Sequence, residues 1–155
     1  MGNLANTYGS LGKYADAEKL EIKALDMRNR LLGEEHTDTI TAMSNLAVSY
    51  ESLGKYADAE KLQIKVLDQR NRILGEDHPD TITAMNNLAI TYMSLGKYAD
   101  AARLGVHVVN ARKKILGEEH PKTVEAVELF TEIGSQGTRN TSGIELRKKS
   151  EFYLL

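Results

Sequence analysis

Between Ile82 and Tyr92 the apolar residues Ile82, Met85, Leu88, Ala89 and Tyr92 fall on one stripe of a 3.6-residue period. A longer stretch, Lys55 to Leu74, gathers Tyr56, Ala59, Leu62, Val66 and Ile73 on one line, and Ile64, Leu67 and Leu74 widen it. Gly96 ends the first kind of helix, at a position where a left-handed residue costs least, and Gly75 ends the second. Pro79 suits the opening turn of the helix that follows EDHPD. No stretch shows the strict alternation of a half-buried strand. The pattern predicts an all-α chain with helices near 2–11, 13–32, 38–53, 55–74, 80–95, 97–116 and 121–134.

The pattern recurs. LGKYADAEKL at Leu11–Leu20 returns unchanged at Leu53–Leu62, and LGKYADA stands again at Leu95–Ala101, each 42 residues on. Leu11–Ser52 and Leu53–Ser94 are identical at 32 of 42 positions, and a third copy decays after Thr123. A lone pair of helices cannot bury two such stripes, whereas stacked identical pairs can, so the period predicts a solenoid. Small Ala17 and Ala59 allow close helix approach, and cutting Leu46 or Leu88 to Ala should cost about 2–5 kcal/mol. The expected organisation is a repeat array over 1–134 with a truncated first unit and a degenerate last one. A flexible linker over 135–143 and a tail or capping helix over 144–155 follow. Residue 1 falls in the middle of a first helix, which suggests a fragment of a longer array with an uncapped apolar edge.

Leu88, Ala89, Tyr92, Gly96, Tyr98 and Ala101, and in the preceding copy Leu46, Ala47, Tyr50, Gly54, Tyr56 and Ala59, carry the small-and-large signature of the tetratricopeptide repeat. NNLAITYMSLGKYADA, followed by LGEEHP, resembles the 42-residue kinesin light chain-like subtype, also found in fungal immune-receptor-like proteins. The resemblance spans roughly residues 3–133. It implies a right-handed superhelix whose first helices line a concave groove that binds peptides or protein surfaces and does not catalyse. Two departures stand out. Glu21, Gln63 and Gly105 sit where the family often has an aromatic residue, and Leu129 replaces the asparagine of Asn45 and Asn87.

By that resemblance the groove is lined by Asn3, Asn6 and Ser10, then Ser44, Asn45, Val48, Glu51 and Ser52, then Asn86, Asn87, Ile90, Met93 and Ser94. An Asn amide donates to and accepts from an extended backbone at once, so Asn3, Asn45 and Asn87 would grip main chain while their neighbours select side chains. The competing reading has these asparagines bonded within the array or facing water. A clamp for acidic C-termini is not expected, because the groove positions carry no cluster of cations. Arg28, Arg30, Arg70, Arg72 and Arg112 on the second helices read as a solvated face paired with carboxylates.

Composition narrows the function without changing the fold. A net charge of −2 leaves no basic field for nucleic acid. The absence of cysteine removes disulfides and thiolate metal sites. No apolar run is long enough to span a membrane, and no signal pattern opens the chain, so a cytoplasmic location is expected. His36, His78 and His120 recur once per unit, too far apart to share a metal ion, and read as turn residues. Asp16, Asp58 and Asp100 suit the positive ends of their helices. No nucleophile-and-base pair or phosphate loop is present, and no cofactor is expected. The expected function is a non-catalytic module that binds an extended peptide or partner helix in its groove. The alternative is self-association into oligomers through uncapped repeat ends.

Overall fold

The computed structural model describes residues 13–136. The helix expected at 2–11, with Asn3, Asn6 and Ser10, and the tail expected at 144–155 lie outside the described residues. Among those described, six helices follow one another: α1 Tyr14–Leu32, α2 Thr37–Ser52, α3 Tyr56–Leu74, α4 Pro79–Ser94, α5 Tyr98–Leu116 and α6 Pro121–Gln136. Each boundary lies within two residues of expectation. Two compact units divide the chain, Met1–Ile73 and Leu74–Leu155.

Two kinds of turn punctuate each unit. After α2 the Lys55 N–H reaches back to the Tyr50 carbonyl at 2.8 Å and the Gly54 N–H to the Glu51 carbonyl at 2.9 Å. This is a Schellman closure, and it needs the left-handed residue that Gly54 supplies at φ 74°. After α4, Lys97 to Tyr92 and Gly96 to Met93 repeat the arrangement. The other turn ends in histidine. The Nδ1 of His36 accepts from the Asp38 N–H at 3.2 Å, that of His78 from the Asp80 N–H at 3.1 Å, and that of His120 from the Lys122 N–H at 3.2 Å. Each histidine thereby satisfies one of the donors that a helix start leaves over. Pro79 stands at the first position of α4. Asp16, Asp58 and Asp100 lie in the first turns of α1, α3 and α5.

In the first unit α1 packs on α2, and Ala17, Ala24, Ile40, Met43, Leu46, Ala47, Ala59 and Val66 are buried. In the second unit α5 packs on both α4 and α6, around Ile82, Met85, Leu88, Ala89, Val108, Leu129 and Ile133. One expectation needs correction. Ile64, Ile73 and Leu74 do not complete the apolar line of α3, for all three are exposed. The buried positions of α3 are Ala59, Gln63, Val66 and Gln69, so two amides occupy the stripe. Ile64 lies about 100° around the helix from Gln63, and Ile73 and Leu74 sit in the last turn beside the exposed Gly75.

Candidate functional site

The first helices of the repeats present the residues expected to meet a ligand, and the structure sorts them by depth. On α2, Ser44, Asn45 and Val48 are half-buried, Glu51 is buried and Ser52 is exposed. On α4, Asn87 is half-buried and Ser94 exposed, while Asn86, Ile90 and Met93 are buried. The Ser52 and Ser94 hydroxyls donate to carbonyls of their own helices, Val48 at 3.0 Å and Ile90 at 3.3 Å. The Asn45 and Asn87 amides make no hydrogen bond to any described residue.

Glu51 is engaged elsewhere. Gln63 Nε2 on α3 donates to Glu51 Oε1 at 2.8 Å, in a place where Glu51 is only 6% exposed. Position 63 recurs from position 21 and again at 105, and each copy solves the same site differently. Glu21 on α1 is 5% exposed and hydrogen-bonded by Ser49 of α2. Burial pushes the Glu21 carboxyl above its ordinary range, the Ser49 hydroxyl opposes the shift, and the nearby charge of Glu18 adds to it. At Gly105 on α5 the ring of Phe130 on α6 fills the space a Cβ would need.

A second feature escaped the reading of single motifs. In the first unit Lys65 on α3 pairs with Glu34 at 3.0 Å and Arg72 with Glu35 at 2.5 Å, while Gln69 Nε2 donates to the Glu34 carbonyl at 3.3 Å. In the second unit His107 on α5 pairs with Glu76, and Lys114 pairs with Asp77 at 3.0 Å. In both, a second helix holds the carboxylates of the preceding GEEH or GEDH turn. The signal was available in the sequence: Lys65 and His107, Arg72 and Lys114, and the carboxylates at 34 and 76 and at 35 and 77 all recur at 42. The arginines expected to face solvent with carboxylate partners behave variously. Arg30 pairs with Asp26 and Arg72 with Glu35. Arg112 is partly buried, which lowers its pKa, and its Nη1 donates to the Lys122 carbonyl at 2.8 Å.

Lys55 ties α1 to the turn before α3. Its ammonium meets both oxygens of Glu18, at 2.7 and 2.8 Å, and lies 5.6 Å from the centre of the Tyr50 ring. The hydrogen bond to Glu18 raises the Lys55 pKa above its ordinary value. No group of three His, Cys, Asp or Glu side chains among the described residues is placed to hold a metal ion. No helix among them is long and apolar enough to cross a membrane.

A family model described as tetratricopeptide repeat matches residues 1–63 and 41–114. No curated protein matches the chain in sequence. Among solved structures, a Podosopora anserina protein of nearly identical TPR-like repeats, described as a kinesin light chain, is similar at 24% identity and a TM-score of 0.75. The match covers 94% of this chain and 78% of that one. A point variant of the same Podosopora anserina protein matches at 25% identity and the same TM-score, over 94% of this chain and 77% of that one. BtubC (BKLC) from P. vanneervenii matches at 20% identity and a TM-score of 0.72, over 92% of this chain and 65% of that one. The succession of helix pairs and these likenesses agree on an all-α solenoid class.

Proposed function

The chain belongs to the tetratricopeptide repeat family, and from that premise we propose that it is a non-catalytic module whose first helices bind an extended peptide or a partner helix. Repeats of this family are in general protein-interaction modules. The observation that carries the finer reading is the pair of asparagines. Asn45 and Asn87 are half-buried, occupy the same position of successive copies, and spend no hydrogen bond on the described residues. A side chain held by its helix on a packed layer loses little freedom when it engages a ligand, so its hydrogen bonds count nearly in full. Ser44 and Val48 flank Asn45 and would choose among ligand side chains. Glu51, Asn86, Ile90 and Met93 shape the wall from behind rather than meeting the ligand first, and Asn3 and Asn6 would extend the same surface. Location in the cytoplasm and independence from nucleic acid and membranes belong to this proposal.

The test is binding to an unbiased library of extended peptides, read by display enrichment and then by calorimetry on selected sequences. Asn45→Ala with Asn87→Ala should weaken selected peptides by about tenfold or more, as loss of two direct hydrogen bonds implies. Unaltered affinity in the double variant would move the site off these helices.

A further inference from the structure

We infer that Asn86 reads the sequence of the bound peptide, and that the side chain it accepts is a carboxamide, that of Asn or Gln. The inference rests on the groove reading above and deepens it by naming the ligand's chemistry at one position. Asn86 is 7% exposed and makes no hydrogen bond to the described residues. Its neighbours three and four positions away on α4 are Ile82, Thr83, Ala89 and Ile90. Ile82, Ala89 and Ile90 are buried and aliphatic, and the Thr83 hydroxyl donates to the Pro79 carbonyl at 2.9 Å. The only charged residue on α4 is Asp80, in its first turn. The Asn86 amide is not sealed off: Gln63 and Gln69 each keep an oxygen buried without a partner, and Asn86 does not. A polar side chain this deep costs free energy until a partner reaches it.

Asn86 lies one helical step, about 100°, from Asn87. A main chain held at Asn87 brings its side chains within reach of Asn86. The Asn86 amide presents a donor, Nδ2–H, beside an acceptor, Oδ1. A second carboxamide satisfies both at once, giving its own N–H to Oδ1 and accepting from Nδ2. A carboxylate accepts from Nδ2 but sets its other oxygen against Oδ1. An ammonium donates to Oδ1 and meets the Nδ2 hydrogens with its own charge. A hydroxyl serves one of the two atoms, and an aliphatic side chain serves neither. A trans peptide group points its N–H and C=O in opposite directions, so it too serves only one. The preceding copy carries half-buried Ser44 at this position. The preference therefore belongs to α4 and not to every repeat.

Display selection on the intact chain, with a library of peptides randomised at every position, tests this. Enriched peptides should share an Asn or Gln at one position. Changing that residue to Leu, Asp or Lys should weaken binding by about tenfold or more in calorimetry. Asn86→Leu, close in size, removes the donor and the acceptor, and should reverse the preference from the carboxamide to its aliphatic analogue. Asn86→Ser, which installs the residue of the preceding copy, is the second variant should Leu disturb the packing. It should cut the carboxamide preference to what a lone hydroxyl supports. Circular dichroism checks that each variant keeps its helices. A reversed preference separates direct recognition from a structural role, which would weaken all peptides alike. If no peptide is enriched, or if binding ignores Asn45 and Asn87, the groove reading fails and this inference with it. If peptides bind through Asn45 and Asn87 without a carboxamide preference, or keep that preference in both Asn86 variants, this inference alone is overturned.

Discussion

Gln63 on α3 donates its amide to the buried carboxylate of Glu51 on α2 across 2.8 Å, joining a first helix to the second helix of its own repeat. A hydrogen bond in a site closed to water is worth more than a surface contact, because losing it leaves a buried group unsatisfied. Gln63→Ala should destabilise the chain by about 1–3 kcal/mol, measured by urea unfolding. A double-mutant cycle with Glu51→Ala should return a coupling energy of about 0.5–3 kcal/mol. Additive losses would mean the two residues act independently.

Glu21 gives a pH signature. Its folded-state pKa lies above 4.5 because burial disfavours the anion, whereas the unfolded chain holds it near 4.5. Below 4.5 both states bind the proton and the carboxyl costs nothing. As pH rises through the raised value the folded state must bury a charge, and stability falls. Glu21→Gln, which keeps a partner for Ser49 and installs the residue the next copy carries, should match wild type in acid. It should be the more stable of the two at neutral pH, with the advantage levelling off once Glu21 is fully ionised. Melting temperatures of both chains across about pH 3–8 check this, and a constant difference would place the shift elsewhere.

His78 acts as a cap. Its Nδ1 accepts from the Asp80 N–H at 3.1 Å at the start of α4. His78→Ala should cost about 0.5–2 kcal/mol, and His78→Asn should recover most of it, because an Asn oxygen accepts from the same donor. Thermal denaturation of the two variants distinguishes capping from a role for the imidazole itself, which Asn could not replace.

The helices were legible because their spacing is local information. Gly54 and Gly96 marked the chain reversals, and the stripes of Ile82 to Tyr92 and Ala59 to Val66 marked the buried faces. Gln63 and Gln69 in the core were not legible, since polar residues count against burial until their partners are known, and those partners lie 12 and 35 residues away. The clamp at Lys65 and Arg72 was hidden for the same reason, although its recurrence at 42 was open to inspection. For the candidate site, helical angle placed Asn45, Glu51, Asn87 and Met93 on one side of their helices. It did not say how deep each would lie, because depth is set by the side chains of the neighbouring helix. Asn45 and Asn87 ended half-buried with no hydrogen bond to the described residues; Glu51 and Met93 ended inside.

The seat of Phe130 over Gly105 makes the copies non-interchangeable. A benzyl group of that size cannot settle above the longer side chains of Glu21 or Gln63, so α6 fits only behind α5. Near-duplicate segments invite shuffled and slipped pairings during refolding and recombination, and a lock with a single matching key removes one class of those errors by making the sequence of modules directional.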